Sequence, residues 1–204
     1  MTMSRNALQF CAALGALLYG TAASAQGLLT EHRLAAGLAN EAVAEAVAAC
    51  AKNGYTVTAI VVDIDGVRQA VLRGDGAPVH TLDRAYAKAY TAASLAPVRK
   101  EDSTKAIFER LSKNPSTTAS LGNLPNVTFT PGGVTIMAAG KPIGGIGVGG
   151  APGGNFDDDC ARAALDKITD RMKERECSRC RSGSLESARW ARRSRNGSSR
   201  PGTR

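Results

Sequence analysis

Residues 56–73 read TVTAIVVDIDGVRQAVLR, and this stretch decides the fold. Thr56 to Val62 is nearly continuous in apolar and β-branched residues, the composition of a strand covered on both faces. Asp65-Gly66 is a hairpin turn signal, because glycine supplies the positive φ that a tight turn needs. Val67 to Arg73 then returns as a second strand, antiparallel to the first.

Amphipathic segments flank the hairpin. Before it, Thr30 can cap a helix in which Leu34, Leu38, Ala42, Val43, Ala46, Val47 and Cys50 recur at helical spacing. Lys52-Asn53-Gly54 closes that helix. After the hairpin, Gly74 to Pro78 is loop, and Thr81 to Ser94 is helical, with Leu82, Ala85, Tyr86, Ala89 and Ala93 on one side. Pro97 ends it. Ser103 caps a short helix carrying Ile107, Phe108 and Leu111, and residues 114–126, with two prolines, read as irregular. Three strands follow, Asn126 to Thr130, Val134 to Ala139 and Ile143 to Val148. Asp157 or Asp158 then caps a final helix that turns Ala161, Ala164, Leu165 and Ile168 inward. Links of hairpin length at 63–66, 131–133 and 140–142 require antiparallel neighbours. The prediction is an α+β fold, a five-stranded antiparallel sheet with helices packed on it.

Charge is unevenly placed along the 204 residues, whose formal net charge is +8. Residues 177–204 hold eight arginines and one acid, while residues 26–176 hold 17 bases and 17 acids. The body thus gives no electrostatic reason to bind nucleic acid. The segment 177–204 is rich in Arg, Ser and Gly and poor in aliphatic residues. It reads as a disordered appendage or a frameshift product rather than a polyanion- or membrane-binding arm. At the other end, Arg5, the apolar Ala7 to Leu18 and Ala23-Ser24-Ala25 make a signal peptide over residues 1–25, cleaved before Gln26. The mature chain is then periplasmic or secreted, with a folded domain over 26–176 and no membrane span.

The short motifs are weaker than they look. Gly145-x-Gly147-x-x-Gly150 formally matches a dinucleotide fingerprint, but only one helix follows it, so no second parallel strand can complete the site. Its glycines instead let the strand pass close to another backbone or a flat ligand. Asp63-x-Asp65-Gly66 lacks the remaining ligands of a calcium loop. Cys177-x-x-Cys180 has no second ligand pair. Nothing in the sequence demands catalysis.

Several of these stretches resemble the GlcG/HbpS-type heme-binding proteins, a family that includes the C-terminal domain of PduO-type adenosyltransferases. They are Val61-Val62-Asp63 with Gly66, His80-Thr81-Leu82, Lys88-Ala89-Tyr90-Thr91-Ala92, Pro131-Gly132-Gly133-Val134, Gly140-Lys141-Pro142-Ile143, Gly144 to Ala151, and Asp159-Cys160-Ala161. The resemblance spans roughly residues 28–175. It implies a profilin-like sandwich, assembly into homo-oligomers, and heme binding by at least some members. Thr135, where an apolar residue or proline is commoner, and the arginine tail depart from the pattern. The resemblance also implies that the first and last helices lie side by side. Together with export, this predicts a disulfide between Cys50 and Cys160, the two cysteines of the body.

Heme needs an apolar slot, an axial donor and cations for its propionates. The loop and helix opening at His80 offer His80 as metal ligand, the phenols of Tyr86 and Tyr90, and Thr81, Arg84 and Lys88. Thr104 on the next helix can complete the wall, and Gly145 and Gly147 would admit a flat macrocycle. The leading expectation is an exported heme-binding protein in heme handling or redox sensing, with a sensor as partner. The alternative is an enzyme or accessory protein of small organic acid or aldehyde metabolism, with a dehydrogenase partner. A third is a structural oligomer without ligand.

Overall fold

The structure, a computed structural model, describes Gly27 and residues 31–172. Residues 1–25, predicted as a signal peptide, Thr30, and the segment 177–204 with its Cys177 and Cys180 lie outside the described residues. The element order is α1 (Ala36–Lys52), β1 (Thr58–Asp63), β2 (Arg68–Arg73), α2 (His80–Val98), α3 (Thr104–Leu111), α4 (Pro115–Gly122), β3 (Gly133–Ala138), β4 (Lys141–Gly149) and α5 (Gly154–Thr169).

The fold is α+β, and its sheet has four strands in the order β2-β1-β4-β3, every neighbouring pair antiparallel. The predicted fifth strand at Asn126 to Thr130 does not form. Asn126 takes a positive φ of 60°. The segment beyond it is held by side chains of α2 rather than by a strand. Thr91 Oγ1 accepts from Thr128 N at 3.0 Å, and Arg84 Nη2 donates to Thr130 Oγ1 at 3.2 Å.

Register assigns the two faces of the sheet, because side chains alternate along a strand. Thr58 pairs with Gly149, Ile60 with Gly147 and Val62 with Gly145, and on the other side Gly133 pairs with Gly147. One face therefore presents Ile60, Val62 and a row of glycines. The opposite face carries Ala59, Val61, Val134, Ile136, Ile146 and Val148 into the main core beneath α1 and α5. The alanines of α1 let the two helices approach closely. Cys50 and Cys160 are joined there, with Cα atoms 5.6 Å apart.

Helix ends differ from the prediction in four places. α1 is capped at Ala35, without a side-chain cap bond. Pro97 sits inside the last turn of α2 instead of stopping it. Its missing N–H costs one bond at the helix end, where partners are already scarce. Residues 115–122 form a helix that the two prolines had masked. Pro115 occupies its first turn, where proline is tolerated, and Asn114 Oδ1 accepts from Thr117 N. Gly153, not an aspartate, caps α5, and Asp157 turns inward for another purpose. Ser103 caps α3 as its sequence indicates, accepting from Ala106 N at 3.3 Å.

Candidate functional site

α2 covers most of the glycine face of the sheet, and its own sequence explains how. Ala85, Ala89, Ala92, Ala93 and Ala96 are buried, giving the helix an underside with almost no side-chain bulk. β4 answers with Gly145 and Gly147. A Cβ built on Gly147 would lie 2.1 Å from Ala85 O and 2.4 Å from Ala89 N. One on Gly145 would lie 2.4 Å from Ala89 O. The glycines thus bring strand and helix backbones together, and α2 fills the room expected for a macrocycle. Thr135 Oγ1 ties the same contact, donating to Ala92 O at 2.7 Å.

Three further predicted residues are engaged inside the fold. Thr81 is buried, meets Thr58 Oγ1 at 2.7 Å and donates to Pro78 O. Thr104 is buried, with Oγ1 accepting from Gly133 N at 2.9 Å. Lys88, expected to meet a propionate, lies instead in the interior. Its Nζ donates to Asp157 Oδ2 at 2.6 Å and to Val148 O at 2.8 Å, and the two side chains are 2% and 4% exposed. Gly132, at φ +117°, lies over the pair; a Cβ there would sit 2.8 Å from Lys88 Nζ and 2.6 Å from Asp157 Cβ. Burial pushes the Lys88 ammonium below the usual lysine range against the pull of Asp157. Burial likewise pushes Asp157 up against the pull of Lys88. Ala151 N completes the carboxylate's shell at 3.0 Å. The sequence offered no local sign of this pair, since an acid in the first turn of a helix already has a reason to be there.

The solvent side of α2 carries the remaining candidates, and it divides in two. His80 and Arg84 are exposed near the helix start, one turn apart. Tyr86 and Tyr90, half-buried, stand on another face, with ring centroids 6.0 Å apart. Ten residues of helix place Tyr90 about 15 Å along the axis from His80, so the two groups do not converge.

The two phenols have different surroundings. Tyr86 Oη donates to Gly66 O at 3.2 Å, and the Arg68 guanidinium lies 3.5 Å from its ring centroid. Tyr90 Oη has no hydrogen-bond partner among the described residues. Its side chain borders a cleft of about 310 Å³ that is otherwise lined by Ser94, Leu95, Leu124, Pro125, Asn126 and Val127. The turn after α4 supplies the apolar wall. Sequence reading missed that wall because it left residues 114–126 without structure. Another cleft, about 360 Å³, lies between α1 and α5 and is bordered by Tyr55, Phe156, Asp159 and Cys160; none of the predicted ligand-binding residues reaches it. Among the described residues, no group of three His, Cys, Asp or Glu side chains can hold a metal ion. Nor is any described helix long and apolar enough to cross a membrane.

Comparison with known proteins follows the same outline. The family described as "Haem degrading protein HbpS-like" matches residues 34–166. The crystal structure of HbpS is 35% identical, with a TM-score of 0.62, over 72% of this chain and 98% of that one. A double mutant of Streptomyces reticuli HbpS is 35% identical, with a TM-score of 0.61, over 69% of this chain and 90% of that one. The crystal structure of a PduOC–heme complex shares the fold at 23% identity and a TM-score of 0.55, over 67% of this chain and 96% of that one. No protein of curated function matches the sequence.

Proposed function

The chain belongs to the HbpS-like family, and from that premise we propose that it binds heme on the outer side of α2, at the Tyr90 cleft, in heme handling or redox sensing. One observation carries the placement: Tyr90 is a half-buried phenol with no hydrogen-bond partner among the described residues, in the lining of a largely apolar cleft. The donor chemistry fits, because tyrosine is an established axial ligand of heme iron. The walls fit as well, since Leu95, Leu124, Pro125 and Val127 are apolar. At about 310 Å³ the cleft is at the lower end of ligand-site volumes, roughly 300–1,000 Å³. A second copy of the chain would supply a further wall; Leu124, which lines the cleft and is 48% exposed, is apolar surface available to it. When bound, heme supplies one-electron iron chemistry; the chain holds the iron and keeps water from one side.

Hemin titration followed at the Soret band tests the site. The wild type is expected to bind, and Tyr90→Phe to weaken binding by about tenfold or more, near 1.4 kcal/mol, with loss of the phenolate-to-iron charge-transfer band. His80→Ala should bind as the wild type does. Absence of a Soret shift in the wild type would remove heme. Loss in His80→Ala but not in Tyr90→Phe would move the ligand to the start of α2.

The chain is exported in this reading, with residues 1–25 removed, residues 26–176 forming the domain and 177–204 an appendage. The signal pattern supports it, and so does the Cys50–Cys160 bond, a feature of oxidising compartments. Mass spectrometry of the periplasmic protein should find a chain beginning at Gln26; one beginning at Met1 would refute export by cleavage.

A further inference from the structure

The hairpin between β1 and β2 is built against the Tyr90 ring. Gly66 turns the hairpin at φ +79°, and a Cβ there would lie 2.7 Å from both Cδ2 and Cε2 of Tyr90. The ring therefore occupies the space that any other residue at 66 would need. Tyr86 flanks the ring from one turn earlier in α2, at 6.0 Å between centroids and 53° between planes. Tyr86 is itself fixed at both ends, through Gly66 O at its hydroxyl and Arg68 over its face.

The turn behind these contacts is stiff. Asp63 Oδ1 accepts from Asp65 N at 3.0 Å and from Val67 N at 2.9 Å, and Gly66 N donates to Asp63 O at 3.0 Å. A side chain that ligates a metal works best when its rotamer is fixed in advance by neighbours that touch nothing else of the site. Resting on the heme reading above, we propose that Gly66, Tyr86 and Arg68 are positioning residues for Tyr90. The β1–β2 turn acts as a backstop that fixes the phenol toward the cleft before ligand arrives. The glycine is needed there for two reasons at once, its φ and its missing Cβ.

The test separates this inference from the heme reading by using two measurements. In the ligand-free protein, the ring NMR signals of Tyr90 should move in Gly66→Ala, and also in Tyr86→Phe, which keeps the ring but removes the bond to Gly66 O. With hemin, Gly66→Ala should weaken binding by about tenfold in the wild-type background and less than about twofold when Tyr90 is already Phe, because coupled residues are not additive. Arg68→Gln should follow Gly66→Ala in direction, and Arg68→Lys should restore part of the loss. If Gly66→Ala does not fold, Tyr86→Phe is read in its place. Unmoved Tyr90 signals, or equal losses in the two backgrounds, would overturn the positioning role. A wild type that does not bind hemin would overturn the heme reading and the ligand role, while the ligand-free signals still report whether the turn holds the ring.

Discussion

Replacing Asp157 with Asn should leave the Lys88 ammonium in the interior without its ion-pair partner, with only the weaker pull of Asp158. The two side chains are 2% and 4% exposed, so water cannot take the place of the lost carboxylate. Asn keeps an oxygen for Ala151 N but puts its amide nitrogen where Oδ2 accepted from Lys88 Nζ, so that hydrogen bond goes with the charge. Removing one partner of a buried ion pair costs about 3–5 kcal/mol. Against a typical total of roughly 5–15 kcal/mol, that loss is large. Lys88→Met should cost a similar amount, since it also strips the donor from Val148 O. The double variant Lys88→Met/Asp157→Asn should recover about 1–3 kcal/mol relative to the sum of the singles.

The pH dependence has a definite sign. Burial holds Lys88 below the ordinary lysine value of 10.5 in the folded chain. Between that lowered value and 10.5 the unfolded chain binds more protons than the folded one, so stability rises with pH, by at most about 1.4 kcal/mol per pH unit. Without Asp157 to oppose burial, the Lys88 pKa falls further and the window widens toward neutral. Relative to wild type, Asp157→Asn should therefore lose less stability at pH 9 than at pH 7. Urea unfolding followed by circular dichroism, with the disulfide intact, measures all of this. A single variant costing under about 1 kcal/mol, with no dependence on pH, would refute a charged buried pair.

Gly147→Ala should destabilise by about 1–3 kcal/mol or more, because its Cβ would meet backbone atoms of Ala85 and Ala89 that cannot move aside. Gly37→Ala is its contrast: nothing lies within 4 Å, and the helix should gain about 0.5–1 kcal/mol. Calorimetric melting of the two variants checks both, and equal shifts would sink the backbone-contact argument. Reduction of Cys50–Cys160 opens a loop of sequence separation 110 and should cost at most about 5 kcal/mol. Melting with and without a phosphine reductant gives the size, and thiol counting on denatured, oxidised protein trimmed to residues 26–176 should give zero; two free thiols would exclude the bond.

The hairpin at 58–73 was legible because every signal for it is local: β-branched runs, an Asp-Gly turn, and alternation on the return. The same local composition misled at Asn126 to Thr130. β-branched residues there look like a strand, but Thr128 N donates to the Thr91 side chain and the Thr130 hydroxyl accepts from Arg84, both on α2 and more than 30 residues earlier in the chain. α4 was missed for the reverse reason, since two prolines outweighed a helix whose first turn tolerates one of them.

Sequence alone determined the class of the fold, the antiparallel pairing and the chain's membership of a heme-related family, since periodicity, turn chemistry and ordered motifs are written in neighbouring residues; the Cys50–Cys160 pairing came from what the family resemblance implies about the first and last helices. The sequence also put most of the candidate ligand residues on one helix, α2. Which residues of that helix remain free for a ligand was decided by tertiary structure alone. Lys88 met Asp157 across 69 residues, Thr104 met Gly133 across 29, and the backbone of α2 took the room above Gly145 and Gly147. Burial and pairing are properties of what packs opposite a residue, and no local pattern reports what lies across a sheet.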